Sequence, residues 1–282
     1  MGRLRRLDAE LVRRSLAGSR AEAKQLIEAG HVSLDGALVT KPARQVDPAQ
    51  AIVVRADKSP GYASRGGFKL AGVLDLLGER APVIAGRRAL DAGASTGGFT
   101  DVLLRRGASS VVAVDVGYGQ LAWRLREDPR VEVHERTNVR TLDPGLVAPA
   151  PQLAVGDLSF ISLTLILPAL VRACAQDADF LLMVKPQFEV GKERLSRGGV
   201  VRSTVLHEET VLKVARCAVE LGLDIADVAA SPLPGPKGNV EYFLSMRRGH
   251  PDPVGDLEKV IHGAVAAGPA GRGSDTVGVE EE

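Results

Sequence analysis

Two lysines and two carboxylates stand at the ends of predicted strands and helices: Lys69, Asp157, Lys185 and Glu241. The chain holds nine lysines against 27 arginines, so a lysine that ends the apolar run FLLMV is unusual for this composition. Each residue also has a structural interpretation, as a solvated strand end, a lysine stem on apolar surface, or an edge charge. As a set they could move a proton, because a neutral lysine accepts one and carboxylates can orient it.

A glycine-rich turn, Asp91-Ala-Gly-Ala-Ser-Thr-Gly-Gly-Phe99, follows a predicted strand and opens a predicted helix. Glycines let the backbone approach a ligand, and the free N–H groups of a helix start can hold a negative group. Asp115 lies 24 residues after Asp91, at the end of the next strand, where a carboxylate can accept both hydroxyls of a ribose. The alternative is a tight strand–helix turn that binds nothing.

Strand-like and helix-like segments alternate from residue 88 onward, which predicts a parallel sheet covered on both faces. The predicted strands are Arg88–Asp91, Ser110–Asp115, Val131–His134, Leu153–Asp157, Phe180–Lys185 and Val240–Met246. The predicted helices are Phe99–Arg106, Leu163–Cys174 and Thr204–Leu221. Ligands of such α/β folds bind at the carboxyl ends of the strands, where the residues described above lie.

The turn reads G-x-x-x-G-G rather than the G-x-G-x-x-G of dinucleotide-binding proteins. It resembles the first motif of the Rossmann-type S-adenosylmethionine-dependent methyltransferases. The resemblance implies that the turn approaches the methionine end of the cofactor and that Asp115 binds the ribose. Asn138 could meet the adenine, although it could equally cap a turn. The implied cofactor-binding residues are Asp91, Gly93, Ser95, Thr96, Gly97, Gly98, Phe99, Asp115, Asn138 and Asp157.

The order Lys-Asp-Lys-Glu resembles the ribose 2′-O-methyltransferases of the FtsJ type. Amino methyltransferases more often carry an Asn/Asp-Pro-Pro-aromatic turn where this chain reads Asp157-Leu-Ser-Phe160. A ribose hydroxyl must lose its proton as it attacks, and a lysine can take that proton if burial and a nearby cation favour its neutral form. We therefore predict Lys185 as the base, Lys69 as the neighbouring cation, and Asp157 and Glu241 as orienting groups.

The first 60 residues predict two helices followed by short strands. Ser19 and Glu22 form a Ser-x-x-Glu capping box, and Asp35-Gly36 is a favoured hairpin turn. Residues 4–58 resemble the S-four (S4) RNA-binding domain, which implies recognition of structured RNA through shape and phosphates. A solvated basic face is the alternative. The predicted RNA-binding residues are Arg13, Arg14, Arg20, Lys24, Lys41 and Arg44, together with Arg65 and Lys237.

Residues 4–248 as a whole resemble the TlyA family, often labelled hemolysin A. The motifs that carry this resemblance are SRGGxKL, DxGxSxGGFT, DVGYGQL, DLSFISL, VKPQFE and GPKGNxE. The family implies a cytidine 2′-O-methyltransferase of ribosomal RNA that confers sensitivity to capreomycin and viomycin. Some members act on both 16S and 23S rRNA, and the resemblance leads us to expect that the others act on 16S rRNA alone.

Three other functions were weighed against this one. A membrane-active hemolysin would need an amphipathic or export signal, and the sequence shows neither. A non-catalytic RNA-binding module would not need the Lys-Asp-Lys-Glu set. A small-molecule methyltransferase would not need the basic, RNA-binding type of N-terminal segment. No membrane association and no stable protein partner are implied, and ribosomal RNA or ribosomal subunits are the expected partners.

The 282 residues carry a net charge of +1, which excludes a globally basic nucleic-acid coat. This charge divides into +4 for residues 1–60, +2 for 61–250 and −5 for 251–282. Two cysteines exclude a disulfide framework or a cysteine-rich zinc site, and no metal is predicted. A cytoplasmic location is expected. The predicted segments are an S4-like domain at 1–58, a linker at 59–64, an FtsJ-like domain at 65–249 and an acidic, disordered tail at 250–282.

Overall fold

A computed structural model describes most of the chain in two compact units, residues 1–61 and residues 62–282. The described residues are 4–14, 16–28, 30–54, 61–196, 198–235 and 238–272. Residues 59 and 60 of the predicted linker lie outside the described residues, and residues 61–64 lie within them. Each unit has its own hydrophobic core.

The N-terminal unit packs two helices against short strands. Its elements are β1 (Arg5–Arg6), α1 (Leu7–Arg13), α2 (Arg20–Glu28), β2 (Val32–Leu34), β3 (Ala37–Leu38), β4 (Gln45–Val46) and β5 (Ile52–Val54). The serine half of the predicted capping box is present, because Ser19 Oγ accepts the N–H of Glu22 at 3.1 Å. The Glu22 carboxylate accepts the N–H of Gly18, one residue before the cap, at 2.8 Å. Asp35 and Gly36 form the predicted hairpin turn between β2 and β3, with φ of 48° and 83°.

The C-terminal unit alternates strands and helices. Its strands are β6 (Arg88–Ala92), β7 (Ser110–Val114), β8 (Val131–His134), β9 (Leu153–Gly156), β10 (Asp179–Val184), β11 (Asp224–Ala230) and β12 (Tyr242–Arg247). Its helices are α3 (Arg65–Leu77), α4 (Gly98–Arg105), α5 (Trp123–Arg126), α6 (Leu167–Ala173), α7 (Pro186–Glu189), α8 (Thr204–Glu220), α9 (Leu257–Ala267) and α10 (Pro269–Arg272).

One seven-stranded sheet, in the order β11-β12-β10-β9-β6-β7-β8, organises the C-terminal unit. The pairs between β10, β9, β6, β7 and β8 are parallel, as predicted. The prediction was incomplete for the last strand, because β12 runs antiparallel to both β10 and β11. A single antiparallel strand near one edge still leaves an α/β fold of the Rossmann type, and it brings the start of β12 beside the end of β10.

Apolar side chains cover both faces of this sheet, as the alternation predicted. Residues of α3 and α4 form the core on one face, and residues of α6, α8 and α9 form the core on the other. Burial of these side chains is the main stabilising contribution to such a fold. Among the residues that the structure describes, no helix is long and apolar enough to cross a membrane.

Helices α3 and α4 touch through their backbones near the glycine-rich turn. A Cβ atom on Gly98 would lie 2.2 Å from Ser64 Oγ and 2.8 Å from the backbone nitrogen of Gly67. A Cβ atom on Gly67 would in turn lie 3.0 Å from the carbonyl oxygen of Gly98. Glycine is thus required on both helices for this close approach.

The prediction of a disordered tail from residue 250 is wrong for residues 257–272, most of which form helices α9 and α10. Ile261 and Val265 of α9 are buried in the core beside α8. Burial of the apolar residues in this segment offsets the entropy cost of ordering it. The acidic composition of the tail as a whole did not indicate this. Residues 273–282 lie outside the described part of the chain.

Candidate active site

Three strands of the C-terminal sheet bring predicted proton-transfer residues to one edge. Asp157 directly follows β9, and Lys185 directly follows β10. Glu241 precedes β12, whose antiparallel register places Tyr242 opposite Val184. Because side chains alternate between the faces of a sheet, these three residues project toward the face that α3 covers.

Helix α3 supplies Lys69, which forms an enclosed ion pair. Lys69 Nζ lies 2.5 Å from Glu241 Oε2, and the two side chains are 7% and 0% exposed. The same nitrogen contacts the sulfur of Met183 at 4.0 Å. A Cβ atom on Gly235 would lie 2.3 Å from Glu241 Oε1, so the loop before β12 packs its backbone onto this carboxylate. Each charge of the pair therefore has the other as its compensation in a poorly solvated setting.

Lys185 forms a second ion pair, which is more open. Its Nζ lies 2.5 Å from Asp157 Oδ1 and donates a hydrogen bond to Ser159 Oγ at 2.9 Å. The lysine side chain is 7% exposed, whereas that of Asp157 is 23% exposed and Ser159 is exposed. The ring of Phe188 lies on another side of the amine, 5.9 Å from Nζ. The amine is thus buried but reaches a surface through its two oxygen partners.

The glycine-rich turn lies after β6, at the same edge of the sheet. Gly93 and Gly97 have φ of 83° and 93°, a region that favours glycine. The N–H groups of Ser95 and Gly117 donate to the two carboxylate oxygens of Asp115, at 2.8 and 2.7 Å. Each carboxylate oxygen has a further lone pair, so Asp115 can still accept the hydroxyls of a ribose.

Asp91 is a buried carboxyl at the base of this turn. Its Oδ2 accepts the N–H and the hydroxyl of Thr100 at 2.8 and 2.7 Å, while its buried Oδ1 has no hydrogen-bond partner in the described structure. Burial raises the pKa of Asp91 to about 7, and the charges of Asp157 and Asp115 act in the same direction. A cation bound in front of the turn would favour the ionised form of this carboxyl.

A small cleft opens between the turn and the segment after β7. It is lined by Ala94, Ser95, Ala113, Asp115, Gly117, Gln120, Leu121, Val133 and Glu135. An apolar floor with a carboxylate at its rim suits a nucleoside. Two predicted ligands of the cofactor, Ser95 and Asp115, thus line one cleft.

Two other predicted cofactor ligands, Phe99 and Asn138, have structural contacts. Phe99 is buried and its ring stacks on Phe243, with centroids 6.1 Å apart, so its side chain belongs to the core. Asn138 accepts the N–H of Arg140 at 3.0 Å and caps a short turn, which is the alternative that its sequence position allowed. Thr96 is exposed on the turn itself.

Carboxylates hold the arginines of the N-terminal unit that were predicted to bind RNA. Arg13 and Arg14 approach Glu10 at 2.6 and 2.8 Å, and Arg20 approaches Asp8 at 3.1 Å. Hydrogen bonds from arginine side chains lower the pKa of each of these two carboxyls to about 2. These arginines therefore also stabilise the fold of the unit, and their charges are partly compensated.

The remaining predicted RNA-binding residues are more accessible. Lys24 lies 3.8 Å from a carboxylate of its own helix. Lys41 and Arg44 are exposed, and no ion pair to either is seen among the described residues. Arg65 is exposed and donates to a backbone carbonyl at 3.4 Å. Lys237 lies outside the described residues.

The sequence analysis missed the residues that fasten the segments after β9 and β10 to each other. The Glu189 carboxylate accepts the hydroxyl of Ser162 at 2.6 Å and the N–H of Leu163 at 2.7 Å. Phe160, with φ of 64° and 90% exposed, packs its ring 5.2 Å from that of Phe188. The only sequence signal was the presence of these residues in the quoted motifs DLSFISL and VKPQFE. Among the described residues, no group of histidine, cysteine and carboxylate side chains could hold a metal.

The sheet, its glycine-rich turn and the four residues at its edge define a Rossmann-type methyltransferase. The FtsJ-like methyltransferase family matches residues 62–248, and the S4 domain matches residues 5–52. The chain is 54% identical over 271 residues, 95% of its length and 100% of the relative's, to the 16S/23S rRNA (cytidine-2′-O)-methyltransferase TlyA of Mycobacterium tuberculosis. The chain therefore belongs to the FtsJ-like methyltransferases and, among them, to the TlyA family.

Other relatives carry different names. Hemolysin A of Brachyspira hyodysenteriae is 34% identical over 84% of this chain and 98% of its own. A solved structure from Streptococcus thermophilus, which bears the name hemolysin, is 35% identical with a TM-score of 0.73 and covers 96% of this chain and 97% of its own. A Campylobacter jejuni relative, 33% identical over 64% of this chain and 69% of its own, is named a 23S rRNA (cytidine-2′-O)-methyltransferase. Single-target members thus include one named for 23S rRNA, contrary to our expectation.

Proposed function

We propose that the protein transfers a methyl group from S-adenosylmethionine to the 2′-oxygen of a cytidine in ribosomal RNA. The observation that carries this proposal is the pair of lysine–carboxylate contacts, Lys185–Asp157 and Lys69–Glu241, at the edge where the glycine-rich turn also lies. The names of the relatives from Mycobacterium tuberculosis and Campylobacter jejuni support the substrate. The S4 domain supports an RNA partner.

The residues of the turn fit the proposed cofactor. Asp115 retains acceptor capacity at the rim of the cleft, and the unpartnered Oδ1 of Asp91 supplies negative charge for a positively charged ligand. Ser95 adds a hydroxyl to the lining. When bound, S-adenosylmethionine supplies an activated methyl group. The protein has to hold the acceptor hydroxyl in line with that group and remove its proton.

Lys185 is the proposed base. Its amine is almost enclosed, donates an N–H group to Ser159 and lies in ion-pair contact with Asp157, so the nitrogen is held at a fixed place near the surface. A ribose hydroxyl that reaches this nitrogen can pass its proton to it while the oxygen takes the methyl group. The carboxylate of Asp157 then compensates the charge that appears on the ammonium.

Lys69 does not exchange a proton with the substrate in this proposal. Its ammonium lies 2.5 Å from Glu241, which is fully buried, whereas the carboxylate partner of Lys185 is 23% exposed. The Lys69–Glu241 pair holds α3 to the start of β12 and contributes to the electrostatic surroundings of Lys185. We assign it an electrostatic and positioning role.

Two surfaces are suited to the RNA. Lys41 and Arg44 of the S4 domain are exposed cations that can contact phosphates. Phe160, exposed beside the segment that holds Lys185, offers an aromatic face to an unstacked base. The four predicted cations that pair with carboxylates, Arg13, Arg14, Arg20 and Lys24, are weaker candidates for dominant phosphate contacts.

Mass-spectrometric mapping of ribosomal RNA tests the proposal. RNA from cells that lack the protein is incubated with S-adenosylmethionine and either the wild type or Lys185→Ala. The expected result is a 2′-O-methylcytidine formed by the wild type and absent with the variant. Methylation on a nucleobase, or no methylation of either ribosomal RNA by the wild type, would refute the proposed reaction.

A further inference from the structure

The amine of Lys185 has two oxygen partners, and both belong to the segment that follows β9. Asp157 Oδ1 lies 2.5 Å from Nζ, and Ser159 Oγ lies 2.9 Å from it. Asp157 was predicted from the sequence, whereas Ser159 was not assigned a role. Because Ser159 is exposed and polar, a solvent-facing serine is its simplest interpretation; its contact with an almost fully buried amine requires another.

The contact with Ser159 restricts the direction in which the lone pair of a neutral Lys185 amine can point. A lysine base has two N–H groups and one lone pair arranged around the Cε–Nζ bond. The carboxylate of Asp157, in ion-pair contact with the amine, repels a lone pair on its side and leaves two positions for it. With Ser159 Oγ accepting an N–H group at one of them, one position remains for the lone pair. The two oxygen partners together therefore fix the direction in which the base receives a proton.

The serine is held firmly enough to do this. The next residue, Phe160, packs on Phe188, and the carboxylate of Glu189 accepts bonds from Ser162 and Leu163. Phe188 and Glu189 belong to α7, which directly follows the lysine. The segments after β9 and β10 are thus fastened to each other on the far side of Ser159 from Asp157. Two attached ends leave the hydroxyl little freedom to move away from the amine.

We infer that Ser159 is a positioning residue, whose hydroxyl accepts an N–H group of Lys185 and directs the lone pair at the ribose hydroxyl. This inference rests on the proposed function. In the step, the ribose O–H bond breaks as an N–H bond forms on Lys185. An O–CH₃ bond forms as the S–CH₃ bond of the donor breaks, and its electron pair stays on sulfur. Ser159 neither gains nor loses a proton.

The variants Ser159→Ala and Ser159→Thr separate this role from a structural one. Alanine removes the acceptor, and threonine keeps it. Ser109→Ala is the matched control, because Ser109 is exposed just before β7, at the opposite end of the strands from Asp115. Methyl transfer from S-adenosylmethionine to ribosomal RNA from cells lacking the protein is measured across pH 6–10 under saturating conditions, together with KM for both substrates and the thermal midpoint.

For Ser159→Ala we expect kcat to fall about tenfold, with each KM within about twofold of the wild type and an unchanged thermal midpoint. The rising limb of its pH–rate profile should move to lower pH, because the ammonium form loses an acceptor. Ser159→Thr and Ser109→Ala should keep kcat within about twofold.

Wild-type kcat and pH profile in Ser159→Ala would overturn the inference, as would a threonine variant as slow as the alanine variant. Either result would leave the proposed function intact, because the wild type would still form 2′-O-methylcytidine. A wild type that forms none would instead refute the proposed function and, with it, this inference.

Discussion

The two lysine–carboxylate pairs of the C-terminal unit have the same chemical groups and the same 2.5 Å separation, yet their surroundings differ. Glu241 is 0% exposed, and the further neighbour of Lys69 is the sulfur of Met183. Asp157 is 23% exposed, and the further partner of Lys185 is the hydroxyl of an exposed serine. The first pair faces the interior and the second faces a surface. The proposed function therefore assigns proton transfer to Lys185 by its environment rather than by residue type.

Removal of Lys185 should have the largest effect. Lys185→Ala is expected to lower methyl transfer by about 10³-fold, because a positioned base contributes about that much. Lys185→Arg should not restore activity, since a guanidinium keeps the charge but does not deprotonate in this pH range. Initial rates of methyl incorporation measure both variants, and calorimetry checks that cofactor affinity is retained. Substantial turnover by the arginine variant would make Lys185 a positioning cation and remove the proposed distinction between the pairs.

Removal of Lys69 should first of all lower the free energy of unfolding, which has to be measured before any change in the rate of methyl transfer is interpreted. Lys69→Ala leaves Glu241 buried without its cation, and the free energy of unfolding should fall by about 3–5 kcal/mol. The double variant Lys69→Met with Glu241→Leu should recover most of this loss, because it removes both buried charges. Denaturant titration measures both. If the double variant were stable and as active as the wild type, the interior pair would have no part in the chemistry.

The carboxylate of Asp115, at the same edge, accepts hydrogen bonds from backbone N–H groups, whereas those of Asp157 and Glu241 contact lysines. Asp115→Ala should weaken binding of S-adenosylmethionine by about 1–3 kcal/mol, as expected for a lost pairing with the ribose hydroxyls. Calorimetry with Asp75→Ala as the control measures this, because Asp75 pairs with Arg106 on the outer surface. An unchanged affinity of Asp115→Ala would place the ribose elsewhere.

Asp91 has no lysine partner among the described residues, and the last prediction concerns its proton. Its pKa is raised to about 7 by burial, from an ordinary value of 3.8. Between these pH values the unfolded chain has lost a proton that the folded chain keeps, so stability falls as pH rises from about 4 to 7 and then levels off. The stability difference between wild type and Asp91→Asn should change across this window. Burial lowers the pKa of His207, which acts oppositely but equally in both proteins. A difference that is constant with pH would contradict the assignment.

The sequence identified both lysines and both carboxylates but not how they pair. Strand ends at one edge follow from the alternation of elements, so Asp157 and Lys185 were predictable neighbours. The partner of Lys69 depends on the antiparallel direction of β12, which hydrophobic periodicity does not reveal. Ser159 was missed because an exposed serine carries no pattern of its own.

In the N-terminal unit, by contrast, the pairing of the charged residues could be predicted from the sequence, whereas their burial could not. Its arginines were visible in the sequence, and the spacing of Glu10 three and four residues before Arg13 and Arg14 indicated helical ion pairs. The burial of Glu10 was not visible, because it depends on packing against residues distant in the chain. Exposure of Lys41 and Arg44, by contrast, agrees with their place in and beside turns.

The contact between Gly67 and Gly98 has a mechanical consequence for the whole site. Because no atom beyond hydrogen separates the two backbones there, the start of α3 and the glycine-rich turn form one rigid joint. Lys69 lies two residues beyond Gly67, so any tilt of the turn carries this lysine with it. The distance between the glycine-rich turn and the Lys69–Glu241 pair is therefore set by the contact between two backbones. Replacing side chains elsewhere leaves that distance unchanged.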